Sequence, residues 1–382
     1  MLGLPQLPVL RDTYGAILCL IGLIAQLFTG RRLGIPARLN YGAALTVALL
    51  FCLFGERLIP PWWFPLPFRY AYDWVPGLIL ICNLFTMTTA VLLLIRGRIS
   101  NFTPRFNVER RQFLRASTAA ACAVPAVVFG GAIITRKDFK INEIDLKFPD
   151  LPKDLRGLRL LQISDIHIGA FFSRKDLARV VDASNGLKPD LTFITGDLIT
   201  TAQDPLDTCL LELSRLKSAT GVWGCMGNHE MYAKAQSYTK ARAAELGMDF
   251  LRFERRTLSF GDSRFNLLGI DFQHWWEAVD GLDNLVSKDT FNLLLAHTPE
   301  VFPKAAEKGV QLTLSGHTHG GQINLELFGA NLNVVDLATK YTKGLYTLPG
   351  SSIYVNSGLG TIGVPMRIGA PAEISVIRLC NS

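Results

Sequence analysis

The chain has 382 residues, of which 49% are hydrophobic and only 19% are charged. This composition excludes a mainly disordered protein, and seven cysteines without a C-x-x-C pair exclude a disulfide scaffold. The net charge of +7 is uneven: residues 1–136 hold thirteen Arg, no Lys and four acidic residues, which gives +9 there and −2 in 137–382. Nucleic acid is therefore not an expected partner, because its binding surface would place basic residues on the folded domain.

Four apolar segments follow one another in the basic third of the chain: Thr13–Gly30, Tyr41–Gly55, Val75–Ile95 and Ala116–Thr135. A helix that crosses a bilayer needs about 20 apolar residues, with about 17 as the lower limit. Three segments reach this length, and the second spans only if it extends into its flanks. The sequence thus predicts a transmembrane region of about four helices over 1–136, followed by a separate domain over 137–382.

The arginines between these segments predict the topology. Nine lie in the loops after the first and third segments, and two lie in the loop after the second. The positive-inside rule places the basic loops in the cytoplasm. Four crossings then place residue 137 and all later residues on the extracytoplasmic side. We therefore expect a multi-pass protein of the inner (plasma) membrane, in contact with the lipid bilayer.

A basic motif, RRQFLR at residues 110–115, precedes the last apolar segment. It resembles a twin-arginine export signal, and it is equally a basic stop before a membrane helix. In the first case residues 116–135 are cleaved and the domain is released; in the second they stay as a helix. Both interpretations place the following domain outside the cytoplasm.

From about residue 137 the pattern changes to short apolar runs separated by helix-like stretches, Lys175–Leu187 and Asp207–Leu216. The runs predict strands at Leu158–Ile163, Leu191–Thr195, Val222–Met226, Asn266–Ile270, Phe291–Ala296, Leu312–Leu314, Ser352–Val355 and Glu373–Leu379. This alternation indicates an α/β or α+β domain with a buried sheet.

Polar motifs directly follow five of these strands. They are D-x-H at Asp165–His167, G-D at Gly196–Asp197, G-N-H-E at Gly227–Glu230, a single His297, and G-H-x-H-G-G at Gly316–Gly321. Ligands commonly bind outside the carboxyl ends of strands in such sheets. Imidazoles together with carboxylates and an amide suit Zn, Fe or Mn. The remaining histidine, His274, lies outside the motifs, and we predict no ligand role for it.

This ordered set resembles that of the calcineurin-like metallophosphoesterases, over about Leu158 to His319. The resemblance implies two β-sheets flanked by helices, and a hydrolase with two divalent metal ions (Mn, Fe or Zn). It implies one metal held by Asp165, His167, Asp197 and His319, and a second held by Asp197, Asn228, His297 and His317. It leaves His229 as the general acid that protonates the leaving oxygen. Glu230 is expected to hydrogen-bond a histidine and not to bind metal.

We therefore expect a metal-dependent phosphoesterase that hydrolyses phosphodiester or phosphomonoester bonds at the membrane surface. The membrane region favours a phosphorylated substrate that is linked to a lipid or to the cell envelope. Some relatives of this broad family cleave the pyrophosphate of UDP-diacylglucosamine, but that reaction is cytoplasmic, and the predicted topology weighs against it. The other alternative is a non-catalytic membrane module that keeps its metals for structure.

Overall fold

The computed structural model describes residues 8–50, 68–100, 108–272, 281–327 and 330–382. The chain divides into two compact units. A helical unit contains residues up to Ile134 together with Gly363–Pro365, and an α/β unit contains Thr135–Ile362 and Met366–Ser382.

The helical unit is made of long helices in the ranges that the structure describes: α1 (Pro8–Arg32), α2 (Ala37–Leu50), α3 (Phe68–Ser100) and α4 (Val108–Ile134). Helix α1 packs against α2 and α3, and α3 packs against α4. Two stretches of the described chain, Trp74–Arg98 and Arg111–Lys137, are long and apolar enough to cross a membrane. Residues 110–115, the arginine motif, lie in the first turns of α4. The end of the predicted second segment, residues 51–55, lies outside the described residues.

In the helical unit several polar side chains are buried and many large apolar ones are exposed. Asn40 and Asn83 are each 4% exposed, whereas Leu45 is 71% exposed and Val127 is 73% exposed. The side-chain amide of Asn40 donates a hydrogen bond to the carbonyl of Leu27 in α1 at 3.0 Å. This distribution is typical of helices that pack together in lipid, so the helical unit associates with a membrane.

The α/β unit contains, in its described residues, two six-stranded sheets and a hairpin of β10 (Asn324–Leu327) with β11 (Ala330–Asn333). The first sheet has the order β1 (Phe139–Phe148), β14 (Ala372–Asn381), β2 (Arg159–Ile163), β3 (Leu191–Thr195), β4 (Val222–Cys225) and β5 (Met248–Phe250). The second has the order β12 (Gly344–Leu348), β13 (Ser351–Val355), β9 (Leu312–Ser315), β8 (Phe291–Leu295), β7 (Ser263–Gly269) and β6 (Glu254–Phe260). Strands β2 to β5 are parallel, as are β7, β8, β9 and β13, while both sheets also contain antiparallel pairs.

The two sheets face each other across one apolar core, to which Leu160 of β2 and Leu267 of β7 belong. Helices cover the outer faces: Leu177 lies in the core beside the first sheet, and Ala305 lies in the core beside the second. These helices are α5 (Arg174–Gly186), α6 (Leu206–Leu213), α7 (Asn228–Tyr232), α8 (Gln236–Glu245) and α9 (Phe302–Glu307). Complete burial of a leucine side chain stabilises the folded state by about 1.5–3 kcal/mol relative to leaving that side chain exposed. The predicted fold, two sheets flanked by helices, is confirmed.

All eight predicted strands are present, and Leu191–Thr195 has the predicted ends. Strand β1 was missed, although it is one of the two longest strands among the described residues, with ten residues. Its alternation of apolar and polar residues changes phase at Asn142-Glu143, where two polar residues follow each other. The strand forms because it pairs in parallel with β14 along its whole length, a partner more than two hundred residues away in the chain.

Candidate metal centre

The five polar motifs lie at the carboxyl ends of β2, β3, β4, β8 and β9. Asp165 and His167 follow β2, Asp197 follows β3, Asn228 and His229 begin α7 after β4, His297 follows β8, and His317 and His319 follow β9. Strands β2, β3 and β4 are parallel to one another, and so are β8 and β9. Within each sheet the carboxyl ends of these strands therefore lie at the same edge. The structure thus brings all seven predicted metal ligands and His229 together.

The loops that carry these side chains have an unusual backbone. Five of the predicted ligands have φ between 45° and 72°: Asp165, His167, Asp197, His317 and His319. Residues other than glycine rarely adopt this region, and each such residue costs about 1–3 kcal/mol. Gly196 also has a positive φ, and a Cβ there would lie 2.6 Å from the main-chain nitrogen of Gly227. The G-D and G-N-H-E loops can therefore approach each other only with a glycine at 196.

Asp165, His167 and His319 form the first cluster. Nε2 of His167 lies 3.1 Å from Nε2 of His319, and Nε2 of His319 lies 3.4 Å from Oδ1 of Asp165. The other ring nitrogen of His167, Nδ1, lies 3.0 Å from Oγ1 of Thr200. This contact turns Nε2 of His167 toward the cluster.

Asp197, Asn228, His297 and His317 form the second cluster. Nε2 of His297 lies 3.1 Å from Oδ2 of Asp197, 3.1 Å from Oδ1 of Asn228 and 3.2 Å from Nδ1 of His317. Oδ2 of Asp197 is also 3.6 Å from Nε2 of His167 in the first cluster. The carboxylate of Asp197 therefore lies between the two clusters.

The hydrogen bonds of His297 decide which of its ring nitrogens carries a proton. Nδ1 donates to the carbonyl oxygen of Thr195 at 2.7 Å, since a carbonyl can only accept. In the neutral ring Nε2 then carries a lone pair, and that lone pair faces the oxygens of Asp197 and Asn228. This arrangement is repulsive unless a cation lies among them. Without a metal a proton takes that place: burial lowers the pKa of His297, but the charge of Asp197 outweighs burial and raises the pKa to about 10.

The other three imidazoles of the two clusters are neutral at physiological pH. Burial lowers the pKa of His167 to about 3 and that of His317 to about 4. Burial also holds the pKa of His319 well below its usual range, with a further contribution from the charge of Arg367. A neutral imidazole has the lone pair that a metal ligand needs. The combination of imidazole, carboxylate and amide oxygen fits Zn, Fe or Mn.

His229 lies at the same edge of the sheets and is partly exposed to solvent. Its Nδ1 donates to the carbonyl oxygen of Thr200 at 2.7 Å, so a transferable proton would be carried by Nε2. Its ring centroid is 4.9 Å from that of His167. One ring nitrogen of His229 lies close enough to ligand atoms of His167 and Asp197 for the three residues to hold a cation together. The sequence interpretation, in contrast, places His229 outside both ligand sets.

The expectation that Glu230 hydrogen-bonds a histidine is wrong. Its Oε2 accepts from the main-chain N–H groups of Gly227 at 2.8 Å and Asp197 at 2.9 Å, and its Oε1 accepts from that of Leu198 at 2.8 Å. The buried carboxylate therefore ties the G-D loop to the G-N-H-E loop. Burial, and then the charge of Asp197, raise the pKa of Glu230 to about 7. Its place three residues after Gly227 was the available sequence signal, because a glutamate there can accept from the main-chain N–H of the residue before the helix.

Thr200 and Arg367, which lie outside the motifs, also contact histidines of the site. Thr200 contacts the rings of both His167 and His229, and Arg367 contacts His319. Neither residue belongs to a recognisable pattern, so sequence reasoning missed both. His274 lies outside the described residues.

Comparisons with known proteins agree with this geometry. Residues 158–321 match the profile of the calcineurin-like phosphoesterases. The uncharacterized metallophosphoesterase YkuE of Bacillus subtilis (strain 168) is 31% identical over 284 residues, which cover 71% of this chain and 98% of that protein. A transmembrane protein with metallophosphoesterase domain from Bos taurus is 31% identical over 257 residues, which cover 63% of this chain and 56% of that longer protein. The matched profile and these relatives show that the chain belongs to the calcineurin-like metallophosphoesterase family, whose members are metal-dependent phosphoesterases.

Proposed function

We propose that this chain is a dinuclear metal-dependent phosphoesterase that hydrolyses phosphodiester or phosphomonoester bonds at the outer surface of the plasma membrane. One observation carries the proposal: ring nitrogens converge with carboxylate or amide oxygens at two neighbouring points. Nε2 of His297 faces the oxygens of Asp197 and Asn228 at 3.1 Å each, and Nε2 of His167 faces Nε2 of His319 at 3.1 Å. A cation beside His297 would relieve the repulsion there, and a second cation could lie among Asp165, His167 and His319, whose ligand atoms are within 4.8 Å of one another.

Both proposed ligand sets would include the carboxylate of Asp197. Asp165, His167, Asp197 and His319 would hold one divalent metal, and Asp197, Asn228, His297 and His317 would hold the other. Both ions would be Mn, Fe or Zn, because neutral imidazoles dominate the donor set. When bound, two such cations supply Lewis acidity that activates water and neutralises negative charge on a phosphoryl group.

The protein's own groups would orient the substrate and supply a proton. Asp165 and His297 are at most 1% exposed, whereas His229 and His317 are partly exposed, so a substrate would approach from the side of the latter two. Protonated His229, held through Nδ1 by the carbonyl of Thr200, would donate its Nε2 proton to the leaving oxygen. A general acid of this kind contributes about 10²–10⁴-fold to the rate.

Turnover by the purified full chain in detergent tests the proposed activity. We expect the metal-depleted protein to be inactive, and Mn²⁺ to restore hydrolysis of bis-p-nitrophenyl phosphate or p-nitrophenyl phosphate. A UDP-linked pyrophosphate serves as the third substrate. Preference for it would favour the pyrophosphatase alternative. A protein that binds two metals and hydrolyses none of the three would favour a non-catalytic module.

The side of the membrane is a separate part of the proposal, supported by the excess of arginine in two of the predicted loops. A reporter that is active only outside the cytoplasm, fused after Ser382, should be active. Protease added to spheroplasts should digest the α/β unit. A protected unit with a cytoplasmic reporter signal would contradict the topology and favour a cytoplasmic lipid-precursor substrate.

A further inference from the structure

Arg367 is a buried cation that lies beyond the stretch matched to the family and beyond every motif. It is 5% exposed, and its guanidinium binds main-chain carbonyls. Nη1 donates to Ala370 at 2.9 Å, and Nη2 donates to Gly358 at 3.1 Å and to Gly360 at 2.5 Å. Burying a charged group costs free energy unless hydrogen bonds or an opposite charge compensate it. The burial of the Arg367 guanidinium beside the metal-binding motifs therefore suggests that this side chain has a role there.

Two of the carbonyls that Arg367 binds, those of Gly358 and Gly360, belong to a loop, residues 356–360, that lies directly against the first metal-binding motif. The main-chain nitrogen of Gly360 donates to the carbonyl of Asp165 at 2.7 Å, and that of Leu359 donates to the carbonyl of Ser164 at 3.0 Å. A Cβ on Gly358 would lie 2.6 Å from Cβ of Asp165. The loop therefore supports the backbone of Asp165, which has the strained φ of 49°.

The same guanidinium also lies against the last metal-binding motif. Nη1 of Arg367 is 3.5 Å from the carbonyl oxygen of His319, and Nη2 is 3.5 Å from its Nδ1. One side chain thus contacts both the loop behind Asp165 and the main chain of His319.

Different contacts support the second cluster. Glu230 binds the main chain of Asp197 and Gly227, the residue before Asn228, and the carbonyl of Thr195 orients the ring of His297. The two halves of the centre are therefore held by separate groups, Arg367 for one and Glu230 with Thr195 for the other.

We infer that Arg367 is a positioning residue for the metal that Asp165, His167 and His319 would hold, acting through the 356–360 loop and the main chain of His319. The inference rests on the two-metal function proposed above. Without the guanidinium, the carbonyls of Gly358 and Gly360 lose a buried donor, and the loop behind Asp165 loosens. Partners that orient metal ligands typically contribute about 10–100-fold to metal affinity.

The test measures Mn²⁺ binding to the full chain in detergent, by metal analysis after equilibrium dialysis and by electron paramagnetic resonance. Two adjacent Mn²⁺ ions give a spin-coupled spectrum, and a single ion gives an uncoupled one. The variants are Arg367→Met and Arg367→Lys. Arg378→Lys is the matched control, because Arg378 is an exposed arginine of the same part of the chain, paired with Asp145.

We expect two ions and a coupled spectrum for the unmodified chain and for Arg378→Lys. In Arg367→Met one ion should bind with near-normal affinity and the other about 10–100-fold more weakly, so the spectrum becomes uncoupled. Arg367→Lys keeps the charge but not the several N–H donors of the guanidinium. The difference in affinity between its two ions should have the same direction and be smaller.

Equal weakening of both ions, or unchanged binding of both, would overturn the inference. So would Arg367 variants whose circular dichroism shows an unfolded α/β unit, since Arg367 would then serve the whole fold and not one metal. An unmodified chain that binds only one ion would refute the two-metal proposal itself, and this result is visible before any variant is made.

Discussion

The helical unit and the α/β unit distribute their polar side chains in opposite ways. In the helical unit Asn40 and Asn83 are buried, while Leu45 and Val127 are more than 70% exposed. In the α/β unit the cores are made of apolar side chains, and many of the buried charged and imidazole groups gather at one edge of the sheets.

This difference follows from the solvent of each unit. Lipid gives little hydrophobic drive for helices to associate, so close packing and hydrogen bonds hold them together. Water drives apolar side chains into the core of the α/β unit, where a buried polar group is costly unless it is paired. A buried polar residue therefore indicates helix packing in the first unit, and a cluster of buried carboxylates and imidazoles indicates a functional site in the second. The predictions below test this distinction, from the largest expected effect to the smallest.

Asp197→Asn should reduce turnover to the background rate and weaken both metals. The substitution removes one negative charge from between two cations, which should cost several kcal/mol of binding energy. Metal analysis and turnover of the purified variant measure this effect. Asp145→Asn, which changes a half-exposed carboxylate paired with Arg378, is the control and should leave both unchanged. Two tightly bound metals with normal turnover in Asp197→Asn would remove Asp197 from the bridging position.

His229→Ala should keep both metals and lose about 10²–10⁴-fold in rate. The loss should be greatest for substrates with poor leaving groups, because good leaving groups depart without a proton. Rates for a series of aryl phosphates with different leaving-group pKa values measure this dependence. An equal loss across the series would argue against proton donation, and loss of metal would make His229 a ligand.

Glu230→Gln should weaken metal binding about 10–100-fold, most at the ion held by Asn228 and His297. The new amide group would point at main-chain N–H donors that now bind a carboxylate, so those donors would lose an acceptor. Mn²⁺ titration measures the change in affinity. Glu245→Gln, at an exposed carboxylate, is the control. If only the ion held by Asp165, His167 and His319 bound more weakly, the result would contradict the division of the centre into two separately supported halves.

Asn40→Leu should have the smallest effect. It removes the hydrogen bond to the carbonyl of Leu27, and such interhelical hydrogen bonds in membrane proteins contribute about 0.6 kcal/mol on average. Thermal unfolding in detergent should show a small decrease in stability, with metal content and turnover unchanged. A variant that folds normally but loses metal would mean that buried polar groups of the helical unit also serve the site.

Much of the site could be predicted from sequence because each motif is local. Asp165 and His167 lie two residues apart directly after an apolar run, and Asn228 and His229 are adjacent, so neither prediction needed a long-range contact. The order of five such motifs along the chain was specific enough to predict the fold. The strand Leu191–Thr195 could be predicted because it is a short run of apolar residues and β-branched threonines, the residue types of a strand that is buried on both faces.

The amino-acid sequence by itself therefore determined the motifs, the family and the apolar character of the first third of the chain. Tertiary structure alone decided the partners of Glu230, which are main-chain amides that no side-chain pattern records. It alone placed Arg367 beside His319, 48 residues earlier in the chain, and it alone made a strand of Phe139–Phe148 by pairing it with the other end of the domain. The physical reason is the same in each case: these interactions involve backbone groups or distant segments, and their free energy appears only once the sheets have brought them together.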